Sequence, residues 1–151
     1  MSDRTKNLSK QAGQPLHDQF VAMVAKLFAE SGWHISYDAV AMTPSGSPVR
    51  ADLKAHTPEG QELFFEFKIG NSKDYLPMSA YAQGAQLNRS GIPAILVTNM
   101  KVADPLAELF RESRIPVIKT TVDFEQRAFL DSLRSAAAIN PEIVVGDRKR
   151  F

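Results

Sequence analysis

Hydrophobic and polar positions repeat with two different periods along this chain. In QELFFEFKI (61–69) the period is two: Leu63, Phe65 and Phe67 fall on one side of an extended chain, and Phe64, Glu66 and Lys68 on the other. VRADLKAHT (49–57) shows the same alternation, with Val49, Ala51, Leu53 and Ala55 facing one way and Arg50, Asp52, Lys54 and His56 the other. Between these runs, PEG (58–60) is a turn signal, so the two form a hairpin. Upstream, WHISYDAV (33–40) is rich in aromatic and β-branched residues and leads into TPSGSP (43–48), a second turn. Together the three runs predict a meander of three strands.

The other period is helical. In LHDQFVAMVAKLFAES, Phe20, Val24, Leu27 and Phe28 recur at helix spacing, with Val21 and Ala25 widening the stripe. Pro15 suits the first turn of this helix and Gly32 its end. After the hairpin the pattern predicts a helix over 78–90, a short wholly apolar strand over 93–99 and an amphipathic helix over 103–114. A strand over 115–120 and a last helix over 122–138 complete it. The order αβββαβαβα predicts an α/β fold, a mixed β-sheet with helices on both faces. The boundaries read as a flexible tail over 1–14, one domain over 15–138, and a C-terminal extension over 139–151 that is either a short edge strand or a tail. Tyr81 and Gly84 suit close packing of their helix on the sheet.

Composition changes this picture little. Hydrophobic residues are 44% and charged residues 23%, ordinary for a single-core domain of 151 residues. With no cysteine, the chain has no disulfide, thiolate metal site or cysteine nucleophile. No signal peptide is recognisable, and no apolar run approaches the ~20 residues of a membrane span. The expectation is a cytoplasmic protein without a membrane partner. A net charge of +1 argues neither for nor against a nucleic-acid partner, because cations can gather on one face while acids collect in a site.

The hairpin carries the candidate chemistry. Residues equidistant from position 59 pair across it, which sets Asp52 opposite Glu66. Direct partners share a face with Cβ atoms about 4.5–5.5 Å apart, and Lys68 leaves the same face as Glu66. Two carboxylates this close repel unless a positive group sits with them. Lys68 does part of this. Mg²⁺, with Mn²⁺ as a substitute, does it better, since it takes hard oxygen ligands and keeps several waters. Asp52, Glu66 and the backbone carbonyl of Phe67 are the expected ligands. A metal-bound water then serves as nucleophile, and Lys68 orients it or stabilises the attacked phosphate. The chemistry this suits is hydrolysis of a phosphodiester. The competing reading is a hairpin with one solvated charged face, in which Glu66 and Lys68 form an ordinary surface pair worth little. Phe64 on that same face argues against it.

Asp52, a gap of thirteen residues and then Glu66-Phe67-Lys68 resembles the motif of the PD-(D/E)XK, or restriction-endonuclease-like, nucleases. The helix before the motif, its two strands, and the helix and strand after it resemble that family's αβββαβ core over residues 15–120. Ala51 stands where the family often has proline. The resemblance implies a Mg²⁺-dependent endodeoxyribonuclease acting in restriction, phage defence, recombination or repair. It implies DNA as partner, and a homodimer or larger complex wherever both strands are cut. It also implies an acid from the first helix and a polar residue from the helix after the motif. Asp18 is the available acid, although an acid in a first turn also simply complements the helix dipole. Gln83 and Gln86, one turn apart, are the polar candidates, with plain helix surface as the alternative. Arg50, Lys54, Lys73 and Arg89 surround the motif in sequence as candidate phosphate contacts. His17, His34 and His56 lack metal-ligand spacing, and His56 reads as a strand-end residue. The basic run Arg148-Lys149-Arg150 reads as a solvated tail or a backbone contact. The function of another class is a catalytically inactive nuclease fold, serving as scaffold or nucleic-acid-binding subunit.

Overall fold

The computed structural model describes residues 13–121 and 125–145. Among them are four α-helices, a 3₁₀ turn and five strands in one sheet: α1 (Gly13–Glu30), β1 (His34–Met42), β2 (Pro48–His56), β3 (Glu62–Lys68), α2 (Met78–Asn88), β4 (Ala94–Thr98), α3 (Asp104–Glu112), β5 (Val117–Lys119), α4 (Gln126–Ser135) and the turn Ala136–Ala138. Strand order is β1-β2-β3-β4-β5. The first three strands pair antiparallel as a meander, and β4 and β5 join in parallel after helical crossovers. This is the expected mixed α/β sheet. No helix among the described residues is long and apolar enough to cross a membrane.

Each face of the sheet has its own core. On one face, Phe20, Val24 and Phe28 of α1 and Phe129 and Leu133 of α4 pack on Leu63, Phe65, Phe67, Ile95 and Val97. On the other, Leu87 of α2 meets Phe64 and Ala94, while Leu106 and Phe110 of α3 meet Leu96 and Ile115. β3 and β4 are therefore covered on both sides, and β4 is buried along its whole length. α1 ends as its sequence prescribes. Gly32 takes φ +84, Trp33 N–H returns to the Phe28 carbonyl (2.9 Å), and the Trp33 indole stacks on Phe28 with ring centroids 4.3 Å apart.

The structure revises several boundaries. α1 begins at Gly13 rather than Pro15; the rest of the N-terminal tail, residues 1–12, lies outside the described residues. β5 is three residues long, shorter than the 115–120 expected. The last helix starts at Gln126, where the Glu125 carboxylate caps it by accepting from Arg127 N–H and Ala128 N–H. The C-terminal extension is neither strand nor detached tail up to residue 145. Ile143 is buried in the first core, and the Gln61 side chain donates to the Glu142 carbonyl and accepts from Val144 N–H. Residues 146–151, with the basic run, lie outside the described residues. Gln61→Ala removes both bonds, each worth about 0.5–1.5 kcal/mol. It is expected to lower the urea midpoint by an amount equal to roughly 1–2 kcal/mol. An unchanged midpoint would show that this latch adds nothing to stability.

One larger correction concerns β2. Its odd-numbered residues are all buried, but they do not share a face. Leu53 and Ala55 pack with Leu63 and Phe65 under α1, whereas Val49 and Ala51 pack with Phe64 and Leu87 under α2. The change occurs at Asp52. The β1–β2 register runs through Tyr37–Leu53, skips Asp38 and Asp52, and resumes at Ala39–Ala51. Asp38 there has φ +48, a left-handed conformation that Asp tolerates better than most residues. A residue turned out of the extended run bends the strand and re-aims its neighbours, as at a β-bulge. The hairpin thus turns a corner with Asp52 at its apex.

Candidate active site

At this corner β2 and β3 part. Their ladder runs from His56–Glu62 to Leu53–Phe65 and stops one pair short of Asp52 and Glu66. Side chains take over where backbone pairing ends. The Asp52 carboxylate accepts from Phe67 N–H (Oδ2, 2.8 Å), and Glu66 Oε1 accepts from Asp52 N–H (3.3 Å). Each acid is held by the other strand, and the expected juxtaposition of Asp52, Glu66 and Lys68 is present. Glu66 is only 4% exposed and Phe64 1%, so this face is not a solvated charged face.

The electrostatics reflect burial and closeness. Burial pushes the Glu66 carboxyl up, and the adjacent Asp52 carboxylate pushes it further, to about 9, against the pull of the Lys68 ammonium. Burial also opposes charge on Asp52, but hydrogen bonds from His17, from protonated Glu66 and from the Phe67 N–H prevail and hold its carboxyl down at about 2. The two shifts run in opposite directions, because the site resists a second negative charge beside the first.

His17 is the residue that sequence reasoning passed over. Its Nε2 lies 3.1 Å from Asp52 Oδ2 and its Nδ1 3.1 Å from Asp18 Oδ1. Carboxylate oxygens only accept, so an imidazole set between two of them donates from both nitrogens and carries a positive charge. The hydrogen bond to Asp52 raises its pKa to about 9, with Asp18 assisting against desolvation. Its ring also meets Phe67 edge-on, centroids 6.4 Å apart. A signal was present: His17, Phe20, Val21, Val24 and Phe28 lie on one helical stripe, so the imidazole begins the buried face of α1. Asp18, the expected helix acid, lies off that stripe and touches the site through His17. His17→Leu keeps the contact with Phe67 but removes the cation hydrogen-bonded to Asp52, so it is expected to take away the part of the stability that is lost between pH 6.5 and 9. His17→Asn, which keeps a neutral donor to Asp52, should lose the same pH dependence with a smaller loss of stability. A pH profile of stability unchanged in both variants would sink the role.

The acids line a cleft of about 510 Å³. His17, Asp38 and Arg50 line it too, as do Lys68 and, from α2, Gln83. Gln83 Nε2 donates to the Arg50 carbonyl (3.2 Å), tying α2 to β2. Gln86 is exposed and does not line the cleft. Lys54 points toward Glu62 (3.2 Å) and over the Phe64 ring, away from the cleft. Lys73 is exposed on the loop after β3, and Arg89 is exposed at the C-terminal end of α2. His56 is exposed near Glu62 and His34 is exposed, both outside the cleft.

The donor set fits a hard divalent cation in kind. Two adjacent carboxylates that now need a proton between them offer the oxygens Mg²⁺ prefers. Among the described residues no group of three His, Cys, Asp or Glu side chains is arranged to hold a metal. Backbone, water and phosphate oxygens would supply the remaining ligands, which Mg²⁺ accepts.

No family model and no curated protein sequence matches the chain. Among solved structures, the crystal structure of AF1548, a protein of unknown function, is 18% identical with a TM-score of 0.53 and covers 89% of this chain and 73% of its own. The likeness is one of fold. The MspJI restriction endonuclease in complex with a 27-mer oligonucleotide is 14% identical with a TM-score of 0.46; it covers 93% of this chain, which spans 32% of the MspJI chain.

Proposed function

We propose that this chain is a metal-dependent nuclease of the PD-(D/E)XK type that hydrolyses DNA phosphodiester bonds. The observation that carries this reading is the parting of β2 and β3 at Asp52 and Glu66, where two acids are locked together by main-chain N–H groups beside Lys68. Such a pair is costly to keep without a cation to serve. Asp52, Glu66 and the Phe67 carbonyl would hold Mg²⁺ or Mn²⁺, which when bound lowers the pKa of a bound water and offsets charge on the phosphate.

The chain's own residues do the rest. Phe67 N–H and His17 fix one oxygen of Asp52 and so orient its carboxylate. The Lys68 ammonium stabilises charge on the attacked phosphate or orients the attacking water. Gln83 offers an amide to a phosphate oxygen from the opposite wall, and Arg50 grips a neighbouring phosphate at the cleft. Lys73 would serve phosphates farther out, Arg89 only a strand that runs on past the C-terminal end of α2, and Lys54 only by leaving Glu62. A single cleft cuts one strand, so cutting both takes a second copy or a partner.

One observation favours the inactive-fold alternative: cationic His17 and protonated Glu66 already balance the Asp52 charge without metal. Incubation with plasmid, single-stranded and branched DNA in Mg²⁺, Mn²⁺ or EDTA separates the two readings. Cleavage that needs metal supports the nuclease. Tight binding with no turnover under every metal condition supports the alternative and removes the nuclease.

A further inference from the structure

β3 leads into a segment that is held more firmly than a surface loop requires. Thr98 Oγ1 donates to the Lys68 carbonyl (2.7 Å), and the Asn99 side chain grips Gly70 twice, accepting from its N–H (2.9 Å) and donating to its carbonyl (2.7 Å). Both polar side chains are buried, Thr98 at 0% and Asn99 at 5% exposure. Farther on, Tyr75 bridges to Lys101, with Lys101 N–H on the Asp74 carbonyl (2.9 Å) and Leu76 N–H on the Lys101 carbonyl (2.7 Å). Leu76 itself is buried. Yet this clamped segment presents to solvent an aromatic ring and a thioether: Tyr75 is 63% exposed and Met78, at the start of α2, is 58% exposed. The Lys101 ammonium lies 5.7 Å from the centre of the Tyr75 ring, and Lys73 is exposed on the same loop.

A rigidly mounted, exposed aromatic ring among cations suits a nucleobase, whose face stacks on the ring while the neighbouring phosphates meet the ammonium groups. Its position agrees. Thr98 pairs with Lys68 and Lys101 with Tyr75; three residues of extended chain, at most about 11 Å, plus two lateral pairings of about 5 Å each keep the Tyr75 and Lys68 backbones within about 20 Å. An extended strand of a few nucleotides that covers Lys68 can span that distance to the ring. Resting on the nuclease reading of the cleft, we propose that Tyr75, with Lys101, Lys73 and Met78, is a stacking platform for an unpaired base of the strand that enters it.

The test uses the full chain carrying Asp52→Asn, so that the strand stays whole, and a single-stranded oligodeoxynucleotide containing 5-iododeoxyuridine. Ultraviolet crosslinking is expected to label Tyr75. Tyr75→Ala is expected to weaken single-strand binding about tenfold, with Tyr75→Phe within about twofold of the parent, because stacking uses the ring and not the hydroxyl. Crosslinks confined to other residues, or equal binding by Tyr75→Ala, overturn the platform. Metal-dependent cleavage by the wild-type chain together with that result leaves the nuclease reading standing. Tyr75-dependent binding without cleavage in any metal removes the nuclease and keeps the platform.

Discussion

On the nuclease function proposed above, Asp52→Asn and Lys68→Ala are each expected to lower Mg²⁺-dependent DNA cleavage by on the order of a thousandfold while leaving the far-UV circular dichroism unchanged. Asp52 sits at the apex of the sheet corner with one oxygen fixed by the Phe67 N–H, so an amide in its place fits the same space but carries no charge for a cation. Its expected signature is loss of turnover with a weaker metal dependence. Lys68 leaves the same face as Glu66 and lines the cleft without contributing to either core, so its removal leaves packing intact. Its expected signature is lost turnover with metal binding retained. Cleavage by both variants at the wild-type rate, measured on plasmid under single-turnover conditions, would trace the activity to another protein.

Without metal, the stability of the protein should fall as pH rises from about 5 to about 9. The Glu66 carboxyl is raised from 4.5 to about 9, so above pH 4.5 the folded chain keeps a proton that the unfolded chain has released. His17 is raised from 6.5 to about 9, so its contribution is complete below pH 6.5 and is lost as pH climbs through 9. Both shifts make the folded state bind more protons than the unfolded one, and stability then declines with pH by about 1.4 kcal/mol per unit for each linked proton. Asp52 acts in the other direction, but only below its ordinary value near 3.8, where its depressed pKa means that stability is lost as pH falls toward 2. Glu66→Gln keeps a neutral group of the same shape, so it should flatten the profile between pH 4.5 and 6.5 and stabilise the metal-free protein at pH 8. On the proposed nuclease function it should also abolish cleavage, and Mg²⁺ at pH 8 should raise the melting temperature of the wild type and not of Glu66→Gln, since binding to the folded state alone stabilises it. A flat wild-type profile would mean that Glu66 is not buried beside Asp52, and His17 not paired with it, in solution.

The interplay of stability and function at this corner is visible in its parts. Glu66 is buried beside Asp52 at a cost that a glutamine would not incur, and Asp38 sits in a left-handed conformation on the adjoining strand. The buried carboxyl and the left-handed residue both line the cleft.

The sequence by itself determined the two periods, and with them the α/β class, the hairpin and the register that sets Asp52 opposite Glu66. Those are local facts, because side chains of a strand alternate and a short turn leaves one way to pair. Tertiary structure decided what local pattern does not encode. The face of β2 changes at Asp52 because Asp38, on another strand, leaves the extended region, and alternation alone placed Val49 and Leu53 together. Gln83 lines the cleft and Gln86 does not, because the buried stripe Ala80, Gly84 and Leu87, not the spacing of the glutamines, decides which way α2 is turned. His17 meets Asp52 across 35 positions of sequence because the core stripe of α1 carries it there. Contacts between distant segments depend on how whole faces pack, and that information lies in the assembled core rather than in any one window of the chain.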